Sequence, residues 1–461
     1  MANSYLTHTQ SAGTSTRKFT YSVWMKRSSI STSGSYNSGF FNCWGDANNR
    51  LGLYFYDNKL YLYGVTGGSA NISVRTNRLF RDTSAWYHIV LAVDTTQGTA
   101  ADRIKIYVNG VQETSLDQTT YPAQNFDFPT VGVNAKAIEI GRVNFGDQST
   151  YYYMDGYLSH AAFVDGQQLA PTVFGETDST SGIWKFKSPT GVTWGTNGFH
   201  LKFENSGALG TDSSGQSNTF AVNGNLKQSL DTPSTNYATL NPNDIMKQSG
   251  GIYVPTFSNG NLTMSAPTDH NYQTFGTLSP ETGKWYYEMK IDAAPAAGHR
   301  IGVFFGNDKT HSGSYYYGSN AFYIHQNGQI YYNGSNTVYM SSYTAGDIIS
   351  VALDVTNGNI YMSKNGGASD STWADGSGNN NQAFPGTSIN GKLSASWISG
   401  AATPLFDNYG NGDKQSINFG NGFFGTTAIT SAGSNGNESL FEYDVPSGYY
   451  ALNTKNINTY G

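Results

Sequence analysis

The chain has 461 residues, a formal net charge of −6 and only 13% charged residues, against 14% aromatics and 54 glycines. That length bounds two to four domains, and abundant aromatics with sparse charge exclude a disordered chain. No basic run exists, which excludes the electrostatic footprint of a nucleic-acid binder, and no stretch approaches 18 apolar residues, so no membrane insertion is expected.

The opening MANSYLTHTQ has no apolar run and does not read as a secretory signal. Phe19 to Lys26 alternates bulky with small or polar residues at period two, a strand signal. Cys43, in FFNCWGD, is the single cysteine, so no intrachain disulfide forms and its aromatic neighbours predict a buried, inert thiol. Leu51 to Tyr63 (LGLYFYDNKLYLY) predicts a hairpin turning at Asp57-Asn58. Trp86 to Val93, Ile104 to Val108 closed by Asn109-Gly110, Ile138 to Val143 and Tyr157 to Val164 predict further strands. The only helix-like candidate is Pro171 to Gly175, at most a turn. Short strands between Gly/Asn/Asp turns without helical period predict a β-sandwich over 1–178.

Residues 179–250 are Ser-, Asn- and Thr-rich, with Trp184, Phe186, Trp194, Phe199, Leu201 and Phe203 supplying a few strands. They read as a β appendage and polar connector stiffened by Pro233 and Pro242. A second sandwich is expected over 251–430. Its predicted strands include Leu262–Met264, Trp285–Ile291, Ile301–Phe305, Ala321–His325, Gln329–Tyr332, Ile348–Val355, Asn359–Met362, Leu393–Trp397 and Gln415–Phe419. Repeated Asn-Gly pairs supply its turns, and 366–383 reads as a long polar loop. The tail, 431–461, returns to strand-like sequence from Leu440 to Ile457 and is expected to pack back on a sandwich. The fold class expected is all-β, two jelly-roll sandwiches joined by a connector.

FTYSVWMKRS, WYHIVLAVD, IKIYVNG and MDGYLSHAAFVDGQQLAPTVFGE resemble the concanavalin A-like laminin-G jelly rolls of tail and virion proteins of marine bacteriophages. GKWYYEMKI, IGVFFGN, DIISVALDVTNGNIYMSKNG and QSINFGNGFF resemble a SPRY domain, another bent β-sandwich, and YDVPSGYYALNTKNI resembles a segment that ends such phage proteins. The resemblance implies a laminin-G-like sandwich followed by a SPRY-like one, in a non-enzymatic virion structural protein. It implies a tail fibre, receptor-binding or capsid-decorating role on the virion surface, with assembly in the host cytoplasm. The implied partners are other virion proteins and a host-surface glycan. A homo-oligomer is expected, because weak glycan sites gain from multivalency. Phage fibres usually carry a separate N-terminal docking module, whereas the jelly-roll pattern here starts by Ser4; attachment would then use a sandwich face, the connector or the tail.

Jelly rolls also host glucanases, so a polysaccharide-degrading enzyme is the rival reading. Hydrolysis needs two acids at a set separation. The Glu-x-Asp-x-x-Glu pattern of such enzymes is absent, and the nearest arrangement is Glu442 and Asp444, which share a face if Phe441 to Val445 is extended. No His-x-His, His-Glu-x-x-His or Cys cluster points to a transition metal. No cofactor is expected, with calcium left as a possibility: Asp46, in Gly45-Asp46-Ala47-Asn48-Asn49, is the oxygen-ligand candidate, against a plain turn. There is no Gly-x-Ser-x-Gly elbow, although a convergent triad is defined by geometry alone. The contact candidates are Tyr151, Tyr152 and Tyr153, and Tyr315, Tyr316 and Tyr317. A tyrosine pairs a flat apolar ring with a hydroxyl, which suits a sugar ring, a protein partner or packing on its own sheet.

Overall fold

The computed structural model describes residues 3–30, 36–144, 151–245, 247–248, 251–296, 298–305, 321–332, 335–389, 400–429 and 438–461. Contacts divide the chain into two compact units, Met1–Gln228 and Ser229–Gly461. Both are built of β-strands, and among the described residues no helix is long and apolar enough to cross a membrane.

The strands of the first unit are β1 (Tyr5–Thr9), β2 (Lys18–Arg27), β3 (Tyr36–Asp46), β4 (Asn49–Tyr56), β5 (Lys59–Thr66), β6 (Ser69–Leu79), β7 (Trp86–Asp94), β8 (Ile104–Val108), β9 (Val111–Gln112), β10 (Leu116–Thr120), β11 (Ala137–Ile140), β12 (Arg142–Asn144), β13 (Tyr151–Tyr153), β14 (Gly156–Asp165), β15 (Gly175–Thr177), β16 (Trp184–Phe186), β17 (Phe199–Leu201) and β18 (Ala221–Asn223). An eight-stranded sheet runs β10-β6-β5-β4-β3-β11-β1-β18 and a six-stranded sheet runs β17-β14-β2-β7-β8-β9. Period-two alternation sends Phe41, Cys43, Leu51, Leu53, Phe55, Leu60 and Leu62 of the first sheet inward, against Phe19, Tyr21, Val23, Ile89, Leu91 and Phe163 of the second. Cys43 is fully buried and burial pushes its thiol far up, so the thiolate nucleophile does not form. The β4–β5 turn places both Asp57 (φ 54°) and Asn58 (φ 61°) in the left-handed region, the type I′ geometry that matches strand twist.

In the second unit a seven-stranded sheet packs on a nine-stranded one. The central strand, Lys284–Ala293, pairs with Ile348–Asp354 on one side and Lys414–Asn418 on the other. Its Trp285, Tyr287, Met289 and Ile291 point into the core, while Tyr286 lies with Phe441, Val445 and Tyr449 of the tail in a separate cluster on the opposite face. Tyr450–Ala451 adds in parallel beside Trp285 and Tyr286.

Several expectations change. Leu240–Ile245, in the expected connector, pairs with Asn271–Gly276 because Ala238 and Leu240 are core residues of the second unit. β17 and β18, in the expected appendage, extend the two sheets of the first unit. The strand-like reading of the tail through Ile457 is corrected: Thr454–Tyr460 is a helix, capped by the Asn453 side chain on the Asn456 amide (2.8 Å) and pinned by Tyr460 stacking on Tyr450 (3.6 Å between ring centres). A one-turn helix, Ala100–Arg103, was also not expected; the turn at Pro171–Val173 was. The polar loop 366–383 is likewise more ordered than its composition suggests. Trp373 is fully buried within it, pairs across to Ser363 and Gln382, and donates its indole N–H to the Gly367 carbonyl (2.9 Å). The predicted strand Leu393–Trp397 lies outside the described residues.

Candidate functional site: a tyrosine face on the first unit

The alternation that sends leucines of β4 and β5 inward sends Tyr54, Tyr56, Tyr61 and Tyr63 to the outer face of the eight-stranded sheet. Tyr54 stands directly opposite Tyr61, and Tyr61 opposite Arg75 on β6. Tyr61 contacts Tyr54, Tyr56 and Tyr63 at ring-centre separations of 5.3, 6.3 and 5.6 Å. The Arg75 guanidinium lies over Tyr56 (5.2 Å) and Tyr61 (5.4 Å) and is held there by Asp117 (2.7 Å). The Tyr61 hydroxyl reaches Ser73 (2.8 Å) and donates to Gln118 (3.1 Å), and burial raises its pKa. Tyr54 and Tyr61 are buried, whereas Tyr56 and Tyr63 are only partly buried.

Tyr151, Tyr152 and Tyr153 form β13, paired with β12, and all three are half-buried. Their hairpin crosses the same outer face: Val143, opposite Tyr152, joins the cluster of Tyr54 and Tyr61. Gly52 beneath it is required, since a Cβ there would meet Val143 Cγ1 at 2.8 Å. Tyr151 and Tyr153 gather with Tyr5 around Arg142, whose guanidinium sits 3.4 Å from the Tyr5 ring centre and 4.4 Å from that of Tyr151. Arg142 also pairs with Glu139, which accepts from Asn42 (2.8 Å). The face therefore presents two tyrosine groups, each organised by an arginine. Tyr315, Tyr316 and Tyr317 lie outside the described residues. Tyr54, Tyr56, Tyr61 and Tyr63 were not singled out from sequence, although their period-two spacing marks one strand face.

The acids of this face do not form a hydrolytic pair. Glu139 on β11 and Asp117 on β10 are five strands apart, about 24 Å along the sheet at the usual strand spacing, and each is ion-paired. The expected Glu442–Asp444 arrangement is corrected: Phe441–Val445 is not a strand, so the shared strand face does not exist. The Glu442 and Tyr443 amides donate to Glu288 (3.0 Å each), and Asp444 accepts from Ser369 (2.8 Å). Asp46 lies in a turn, accepting from the Asn48 amide (2.8 Å) and the Asn49 side chain (3.1 Å), which lower its pKa. Among the described residues no group of three or more His, Cys, Asp or Glu side chains is placed to hold a metal ion.

A Ser–His pair does occur elsewhere. Ser22 Oγ lies 2.8 Å from His88 Nε2 in the six-stranded sheet. Trp184 donates its indole N–H to His88 Nδ1 (3.0 Å). An indole only donates, so the ring proton sits on Nε2 and points at Ser22. That is the opposite tautomer from the one that accepts a serine proton. Burial also drives His88 down to about 3, keeping it neutral. The pair is structural.

Residues 1–166 match the concanavalin A-like lectin/glucanases superfamily (Laminin_G_3), and residues 284–401 match the SPRY domain. The chain is thus all-β, with a laminin-G-like sandwich followed by a SPRY-like one. No curated protein matches its sequence. Among solved structures, it is similar to the SPRY domain of human HERC1 (17% identity, TM-score 0.29, 39% of this chain and 96% of that one). It is also similar to a heptameric pentraxin of Limulus polyphemus (14%, TM-score 0.30, 48% and 86%) and to the PSpry domain of TRIM65 (12%, TM-score 0.27, 39% and 91%). A lectin-like jelly roll with a SPRY domain indicates binding of carbohydrate or protein.

Proposed function

We propose that the protein is a non-enzymatic component of a bacteriophage particle, a tail fibre or capsid decoration, that holds a host-surface glycan against the tyrosine face. The observation that carries this reading is the partly exposed rings of Tyr56 and Tyr63 flanking the buried Tyr61, with Arg75 over Tyr56 and Gln118 on the Tyr61 hydroxyl. Flat rings flanked by polar donors and acceptors suit a sugar, which offers both an apolar C–H face and hydroxyls. The phage setting rests on the resemblance of the laminin-G-like and tail segments to phage virion proteins. A homo-oligomer fits it, since several weak sites raise avidity without new contacts. Neighbouring virion proteins are the alternative occupants of the same face.

The test is an array of bacterial surface glycans probed with the whole protein, alongside immunogold labelling of particles. The expected result is surface labelling and binding that falls about tenfold in Tyr56→Ala/Tyr63→Ala, with an unchanged circular dichroism spectrum. An array silent for wild type, with strong binding to isolated capsids, would move the assignment to decoration. Labelling absent from particles would end the virion reading.

A further inference from the structure

A groove lies outside the tyrosine face, between a segment near the start of the laminin-G match and residues 192–218, which follow it. It is an open groove whose lining includes Thr14, Trp194, Thr196, Ser214, Gln216 and Asn218. Its walls are held by two carboxylates. Asp165 is buried and accepts from the amides of Thr14 (2.8 Å), Ser15 (3.1 Å) and Asn197 (3.1 Å). Asp212 accepts from the amides of His200 (2.9 Å), Ser214 (2.8 Å) and Asn218 (2.9 Å). Hydrogen bonds stitch the rim together, from the Thr196 amide to Thr14 Oγ1 (2.9 Å) and from the Asn218 side-chain amide to the carbonyls of Thr196 (2.9 Å) and Gly198 (2.8 Å). The turn at the floor needs glycine: Gly195 has φ +76° and a Cβ there would meet the Asp165 carbonyl oxygen at 2.1 Å.

Both acids are thereby spent on the walls, and the lining itself carries no charged side chain. Trp194 is half-buried, backed by the near-parallel ring of His200 (5.8 Å, 18°). Burial lowers His200 to about 4, so the imidazole behind the indole is neutral at pH 7. The neighbouring sheet edge, β17, is already capped: Leu201 bridges Asp212 and the Ser213 amide donates to the His200 carbonyl (2.9 Å). A peptide has no free strand edge to extend there. The Ser214 hydroxyl is spent on the wall, donating to Asp212 (2.8 Å) and accepting from the Gln216 amide (3.1 Å). The geometry points to a binding site for a neutral saccharide, with the Trp194 indole as stacking platform and the Thr14, Thr196 and Gln216 side chains as its polar partners. A preorganised rim of uncharged donors and acceptors around one aromatic ring matches a ligand made of hydroxyls and C–H faces. This site stands independently of the tyrosine face.

Calorimetry and tryptophan fluorescence on the full chain test it, with cellohexaose, maltohexaose and chitohexaose as neutral probes and hexagalacturonate as the anionic one. At least one neutral probe is expected to saturate and perturb the fluorescence, and hexagalacturonate to bind at least about tenfold more weakly. Trp194→Ala should weaken the neutral probe about tenfold or more, and Gln216→Ala, at an exposed position that leaves the fold untouched, about threefold. Tyr56→Ala/Tyr63→Ala should leave this binding intact, which separates the groove from the tyrosine face. The site is overturned if none of the three neutral probes saturates, if hexagalacturonate binds as well as they do, or if affinity survives both Trp194→Ala and Gln216→Ala.

Discussion

The outward sheet faces of the two units are treated in opposite ways. On the second unit, Tyr286 and Glu288 point away from the core, and the chain covers them with its own tail: Phe441, Val445 and Tyr449 are buried, and the amides of Glu442 and Tyr443 bond to Glu288. On the first unit, Tyr54 and Tyr61 are covered by the β12–β13 hairpin, but Tyr56 and Tyr63 keep part of their rings in water. A tyrosine-bearing strand face is thus by itself ambiguous. What separates packing from recognition is whether another segment of the same chain closes over it.

The sharpest way to break this contrast is to unfasten the cover on the second unit. Trp373 is fully buried in the tail cluster, with Phe384 edge-on at 4.8 Å. Trp373→Ala should cost about 3–5 kcal/mol through lost burial and the cavity left behind, read as a drop in the denaturant midpoint of the second unit. The tyrosine face should behave differently, losing binding and little stability in Tyr56→Ala/Tyr63→Ala. Equal destabilisation by both changes would erase the distinction between a covered and an open face.

A next-smaller effect sharpens the same point through pH. Burial pushes Glu288 up to about 7 from its ordinary 4.5, against the lowering pull of the two tail amides. The folded unit therefore holds a proton that the unfolded chain has released across that window. The group's contribution is fully present below pH 4.5 and is lost as pH rises through 7. The loss is on the order of 3 kcal/mol. His325, which burial pulls down to about 4, acts in the opposite direction. The informative quantity is accordingly the difference between wild type and Glu288→Gln. The wild-type midpoint should fall relative to that of the variant between pH 5 and 8. Parallel pH profiles would show that Glu288 ionises as readily in the folded chain as in the unfolded one.

What the sequence made legible follows the strength of alternation. Trp86–Asp94 and Ile104–Val108 read as strands because nearly every inward position is apolar, and the Asp57-Asn58 turn read as a hairpin because both residues tolerate positive φ. Ser69–Leu79 does not read as a strand because only Ile72 and Val74 of its eleven residues bring apolar side chains to the core, the buried Thr76 being polar; pairing with β5 supplies the rest. The terminal helix was hidden in TKNINTY, whose order comes from an Asn cap and one ring stack. At the candidate site, the sequence signal lies in runs of three consecutive tyrosines. A run of three must split between two faces, whereas alternate tyrosines on paired strands accumulate on one. The Trp194 groove is not legible in the sequence, because its lining comes from segments far apart in the chain that Asp165, Asp212 and the rim hydrogen bonds bring together.

The smallest expected effect concerns the acids that the rival hydrolase reading would need. Glu442 and Asp444 sit in the covering tail, outside any strand, with the Glu442 amide and the Asp444 carboxylate both engaged. Glu442 keeps its backbone bond to Glu288 whatever its side chain, because the donor is the amide. Glu442→Gln should therefore change stability by less than about 0.5 kcal/mol, and Asp444→Asn by about the worth of one exposed hydrogen bond to Ser369, near 1 kcal/mol or less. Neither should alter reducing-end release from bacterial envelope polysaccharides, for which no turnover is expected from wild type. Turnover in wild type that either substitution abolished would mean that the tail forms a reaction site and not a cover, and the contrast between the two units would have to be drawn the other way round.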